Sequence, residues 1–151
     1  MILSSDRSTF DRITDTLYLG SRIASLDHYH RLRAHGIRAC VDLKNEGADP
    51  WTFEAFLWLP TPDQDAPSPM HFAMGLSFLS ACERAGLPAF VHCMAGIGRS
   101  TSLVLAYLLT GPFHGKGPSA ALTFLAARRP VCNPNAMQVH AAVQAAERFV
   151  G

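Results

Sequence analysis

The chain has 151 residues, 48% of them hydrophobic and 17% charged, and a formal net charge of +1. One domain spanning residues 1–151 with its own core is expected, and the apolar content excludes general disorder. The near-neutral balance gives no bulk attraction to nucleic acid or to a membrane surface, so any positive field has to be local.

Residues 1–12 carry charges without an apolar core segment, so an N-terminal arm and no signal peptide is expected there. Residues 13–19 predict a short strand broken near Asp15 and ending at Gly20. Residues 26–35 predict a helix stopped by Gly36. Residues 37–43 predict a buried strand, residues 45–50 a loop with Gly47 and Pro50, and residues 53–59 a second apolar strand. Residues 60–69 hold four prolines and two aspartates and predict an exposed loop. Ser68-Pro69 is a cap and first-turn pair for a helix reaching about Arg84, ended by Gly86. Residues 89–92 predict a strand. Residues 100–110 are apolar nearly all round, as in a central buried helix. The longest apolar run there, residues 103–109, is too short to span a membrane. Residues 119–128 predict an amphipathic helix with Leu122 and Leu125 inward. Asn133-Pro134-Asn135 caps a final helix whose apolar stripe is Met137, His140, Val143 and Phe149. Strands alternating with helices predict a single α/β domain with a central, mostly parallel sheet flanked by helices. Ligands of such sheets bind at the carboxyl ends of the strands.

The most informative stretch is His92-Cys93-Met94-Ala95-Gly96-Ile97-Gly98-Arg99-Ser100, which reads as strand, tight loop and helix N-terminus. Such a loop points the backbone N–H groups of Met94, Ala95, Gly96, Ile97, Gly98 and Arg99 into one concavity, where the helix dipole adds positive charge. Those charges favour the thiolate form of Cys93, the reactive form of a cysteine nucleophile. The planar fork of Arg99 matches two phosphate oxygens. Gly96 and Gly98 leave room for phosphoryl oxygens and allow positive φ. Ser100 is placed to hydrogen-bond the sulfur as a leaving group, and His92 to orient the loop through its ring. Together these residues make a site for attack on a phosphate monoester.

This stretch resembles the His-Cys, five residues, Arg, Ser/Thr signature of the cysteine-dependent protein tyrosine phosphatases, especially the dual-specificity branch. Leu17-Tyr18-Leu19-Gly20-Ser21, Ala24, Leu32 and Gly36-Ile37 are similar to the opening of those enzymes. Arg129-Pro130 and Pro134-Asn135 match their C-terminal segment. The resemblance implies that family's fold, a cysteinyl-phosphate intermediate, no metal and no cofactor. It also implies a phosphorylated protein or peptide as substrate: phosphotyrosine, with phosphoserine and phosphothreonine as further candidates.

Expelling an alkoxide or phenoxide needs a proton donor from another loop. Residues 59–68 resemble the general-acid loop of compact microbial members of the family, and that register makes Asp63 the acid, with Asp65 as competitor. Glu46 is weighed as a partner of Arg99, but a solvated loop acid is the stronger expectation. Asp42 is expected to be paired or at its strand's end. Arg128 and Arg129 are weighed as neighbours of the phosphate loop, with a solvated helix end as the default. Trp51, Phe53, Phe56 and Trp58 are expected in the core, with exposure near a turn as the alternative for Trp51. His28, His30, His35, His71, His114 and His140 form no ligand pattern, nor do Cys40, Cys82, Cys93 and Cys132, so no metal site is expected. Alternatives are a phosphoinositide, inositol phosphate or RNA 5′-triphosphate as substrate, or a phosphate-binding module without turnover. The uncharged Met94, Ala95 and Ile97 speak against a polyanionic head group. A catalytic thiolate requires a reducing compartment, so a cytoplasmic location is expected; a monomer is also expected, with no nucleic-acid or membrane partner.

Overall fold

Along the central strands, side chains alternate between two apolar layers. The computed structural model describes residues 10–150. Its strands are β1 (Phe10–Arg12), β2 (Leu17–Gly20), β3 (Ala39–Lys44), β4 (Ala55–Thr61) and β5 (Ala89–His92). Its helices are α1 (Leu26–Ala34), α2 (Pro69–Ala85), α3 (Arg99–Thr110), α4 (Pro118–Arg128) and α5 (Ala136–Arg148). Leu17, Leu19, Ala39, Val41, Leu43, Ala89 and Val91 point into the larger core, shared with α2 to α5. Tyr18, Cys40 and Phe90 point the other way, onto Leu32 of α1. This two-residue period is that of strands buried on both faces.

The sheet order is β1-β2-β5-β3-β4. Only β1 and β2 are antiparallel; β5 pairs in parallel with both β2 and β3, and β3 with β4. The α/β architecture with a mostly parallel sheet is therefore as the sequence indicated. The strand that feeds the Cys93 loop is the middle one. Helix α3 leaves that loop into the core and is buried almost throughout, enclosed by α2, α4 and α5. A glycine on α2 permits the close packing: a Cβ on Gly75 would stand 2.9 Å from Leu103.

The caps follow the sequence signals. Ser68 accepts from His71 N at the start of α2, and Gly86, at φ +72, ends it. Several expectations need correction. Residues 10–12 of the supposed arm form β1, and the broken strand at 13–19 is a turn into β2, closed by Ile13 N and Thr14 N on Leu17 O; residues 1–9 lie outside the described residues. The second apolar strand runs to Thr61, so Pro60 and Thr61 belong to β4, with Thr61 buried. Phe56 and Trp58 are not core: they stand on the outer face of edge strand β4, 38% and 43% exposed. Helix α4 buries Ala121 and Leu125, with Leu122 only partly covered. The fully buried stripe of α5 is Gln138, Ala142 and Ala145, flanked by Val143 and Phe149, which pack against the core, while Met137 and His140 are exposed.

Candidate active site

Cys93 directly follows β5 on the larger-core side and is 2% exposed, at the floor of a cavity of about 360 Å³. Its sulfur lies 3.1 Å from Ser100 Oγ, and Gly96 N–H donates to it at 3.3 Å. The loop's carbonyls are all held from outside the cup. Met94 O accepts from Arg22 N at 3.0 Å, and Ile97 O from Asn133 N at 2.9 Å. Ala95 O and Gly96 O accept from the Arg129 guanidinium at 3.1 and 3.0 Å. A peptide's C=O and N–H point in opposite directions, so four carbonyls drawn outward turn the partner N–H groups of residues 95–98 inward. Arg129, whose Nη1 also binds Asp11 at 2.9 Å, is buried under the loop and is not a solvated helix end. Its nearness to the loop is the alternative weighed for it in the sequence, and its place in the Arg129-Pro130 pair of the resemblance is a further signal. Gly96, at φ +70, is required twice over, because a Cβ there would meet Gly20 O at 2.4 Å.

Arg99 is buried and held in place. Nη1 donates to Glu46 Oε1 at 3.0 Å and to Thr61 O at 2.9 Å, and Nη2 reaches Glu46 Oε2 at 3.4 Å. Glu46 is thus a partner of Arg99 and not merely a solvated acid, and this contact holds its carboxyl below the usual range. Asp63 also approaches, with Oδ1 3.8 Å from Arg99 Nη2 and its side chain 73% exposed at the mouth. Asp63, Gln64, Met94 and Ile97 line the cavity; Asp65 does not. The far wall is Asn133, Asn135 and Gln138, which the sequence reading did not single out as site residues.

Beneath the Glu46 loop sits a second charged group. Lys44 Nζ donates to Asp42 at 2.8 Å and to Gly47 O at 2.7 Å, and pairs with Asp49 at 2.9 Å. Burial opposes the lysine charge, but its bonds to Asp42 and Asp49 outweigh that and raise its pKa. Asp42, Asp49 and His92 bring potential ligand atoms within 4.8 Å of one another, yet the cation between the two carboxylates is the Lys44 ammonium. His92 stacks on Phe90, and its Nδ1 lies 3.2 Å from Cys93 O, at the start of the loop. Burial lowers its pKa, against the pull of Asp42 and Asp49.

Residues 17–148 match the family model "Dual specificity phosphatase, catalytic domain". The chain is 34% identical over 128 residues to the tyrosine-protein phosphatase vhp-1 of Caenorhabditis elegans, covering 82% of this chain but only 19% of that protein. It is 33% identical over 141 residues to human dual specificity protein phosphatase 14, covering 89% of this chain and 68% of the relative. Among solved structures, that of DUSP15 superposes with a TM-score of 0.74 at 27% identity, covering 95% of this chain and 98% of the other. The human tyrosine phosphatase-like serine/threonine/tyrosine-interacting protein gives 0.78 at 26%, covering 91% and 95%. The fold and the cysteine loop define a cysteine-dependent protein phosphatase, and within that class the chain belongs to the dual specificity phosphatase family.

Proposed function

We propose that the chain hydrolyses phosphate monoesters on proteins, phosphotyrosine foremost and phosphoserine or phosphothreonine with it, through a cysteinyl-phosphate. The observation that carries this reading is the Cys93 sulfur at the cavity floor under an inward-turned N–H, beside a clamped arginine. In the first half-reaction Cys93 Sγ attacks phosphorus. The bond to the ester oxygen breaks, and Asp63 gives its proton to that oxygen. Arg99 and the N–H groups of residues 94–99 hold the three equatorial oxygens, where the transition-state charge lies. In the second, water attacks the thiophosphate, the Asp63 carboxylate takes its proton, and the S–P bond breaks with the Ser100 hydroxyl on the departing sulfur. The uncharged rim of Met94, Ala95 and Ile97 suits a peptide better than a polyphosphate. The site draws every group from one chain, so a monomer suffices. A catalytic cysteine has to be kept reduced, which supports a reducing compartment such as the cytoplasm.

The test compares phosphotyrosine and phosphothreonine peptides with aryl phosphates of good and poor leaving ability. Cys93→Ser abolishes turnover of all of them and still binds tungstate. Asp63→Asn loses about 10²–10⁴ in turnover with a poor leaving group and much less with a good one. If Asp65→Asn shows that pattern instead, the acid assignment is wrong; near-normal turnover by Cys93→Ser refutes the whole reading.

A further inference from the structure

The loop that carries Asp63 is tied to the start of α5 by two amide side chains. Asn135 Nδ2 donates to Gln64 O at 2.9 Å, and Gln138 Nε2 donates to Asp65 O at 2.9 Å. The same two residues form the capping box of α5. Gln138 N donates to Asn135 Oδ1 at 2.8 Å, and Asn135 N donates to Gln138 Oε1 at 2.9 Å. Each side chain therefore gives its oxygen to the helix and its NH₂ to the acid loop. Ser, Thr or Asp would cap the helix as well, and Glu would close the box as well. None of them has an N–H₂ for a second partner. The amide pair is what the loop requires and the helix does not.

Two further features converge there. Gln64, next to Asp63, has φ +67, and it is the only non-glycine residue with positive φ among the described residues. Such a conformation persists only where surrounding contacts enforce it, and the Asn135 amide grips this residue's carbonyl. Gln138 is buried and also stands against the phosphate loop, since a Cβ on Gly98 would lie 2.8 Å from its Oε1. One side chain thus touches both the loop that binds the anion and the loop that carries the acid.

We propose that Asn135 and Gln138 are positioning residues: through them α5 sets the Asp63 loop in register with the Cys93 cup. The proposal rests on the reading of Asp63 as the acid. Asn135→Ser and Gln138→Glu each keep the capping oxygen and remove the donor to the loop. The readout is the ratio of kcat on a poor leaving group to kcat on a good one. Both substrates carry the same phosphate, so the effect of the Gln138→Glu charge on anion binding cancels in that ratio, and the uncharged Asn135→Ser controls for its effect on the acid. Each variant lowers the ratio about five- to tenfold, the population shift of one lost hydrogen bond. Amide hydrogen exchange rises across residues 63–66 while exchange within α5 stays as in the parent. A parent-like ratio in both variants, or an equal loss on both substrates, overturns the proposal when Asp63→Asn run alongside shows its own leaving-group-dependent loss. If Asp63→Asn leaves the ratio unchanged, the acid reading itself falls and this inference falls with it.

Discussion

Arg129→Met asks whether the cup is aimed from behind. The side chain is close to arginine in length and keeps the apolar stem contacts, but it leaves Ala95 O and Gly96 O without the guanidinium and Asp11 without its partner. Removing one member of a buried charged network costs about 3–5 kcal/mol. Asp11 is partly solvated, 38% exposed on its side chain, so the lower end, about 3 kcal/mol, applies. That is a large share of the roughly 5–15 kcal/mol that holds a domain together. The effect on catalysis is separate. The Ala95 carbonyl shares its peptide plane with the Gly96 N–H that points at Cys93 Sγ. Once released, that plane can rotate, and the Gly96–Ile97 plane with it. Loss of one preorganised donor costs about 10²–10³ in turnover. Urea unfolding measures the first effect; kcat/KM on an aryl phosphate, at a temperature where circular dichroism confirms the fold, measures the second. Arg129→Lys, which cannot reach both carbonyls, falls between the two. A folded Arg129→Met with turnover within a factor of about three of the parent refutes the argument that outward-held carbonyls make the cup, since it would leave almost none of the expected donor effect.

Glu46→Gln removes the charge that brackets Arg99, and kcat/KM falls about tenfold, as for one charge-assisted hydrogen bond. The glutamate is half-exposed, 45% on its side chain, so unfolding free energy changes by no more than about 1 kcal/mol; destabilisation without loss of turnover would contradict the clamp. Gly96→Ala lowers the denaturation midpoint by the equivalent of about 1–2 kcal/mol or more, from its φ of +70 and the 2.4 Å approach to Gly20 O, and loses most turnover; an active, stable variant would show that the loop has another conformation. His92 is buried with its pKa lowered from 6.5, so the unfolded chain binds the extra proton first. Its contribution is flat above that value and stability falls as pH drops below it, by up to about 1.4 kcal/mol per pH unit. The melting temperature of His92→Asn should therefore depend less steeply on pH between about 5.5 and 7 than that of the parent; equal slopes would refute the assignment.

What the sequence made legible was local. Ser68-Pro69 and Asn133-Pro134-Asn135 mark helix starts because a capping side chain acts within three residues of itself. The Cys93 loop was legible because its glycines, arginine and flanking strand and helix are contiguous. The partners of that loop were not. Glu46 meets Arg99 across 53 positions, and Arg129 meets Asp11 across 118. No periodicity encodes such a meeting, and an isolated Glu or Arg is by default solvated. The stripe on α5 was misread in part for a related reason. Of the expected stripe, Val143 and Phe149 do pack against the core, but Met137 and His140 are exposed; the face against α3 admits the small Ala142 and Ala145, and its one polar member, Gln138, is satisfied by Asp65 O and Asn135 N.

The central position of β5 has a consequence for how the protein is made. It is the last strand in the sequence, yet it lies between β2 and β3. Until residues 89–92 arrive, β1–β2 and β3–β4 are two separate ribbons, each with an unpaired inner edge. Both junctions are parallel and non-local, the slow kind of pairing, and open edges are where chains stick to one another. The strand that joins the ribbons is followed directly by Cys93. Completion of the sheet and creation of the cup are therefore one event. A half-assembled chain has no such cup, so a probe that must dock in it as an anion reports the fraction of a preparation that has finished folding, whereas a general thiol reagent also reaches the four cysteines of unfolded chains.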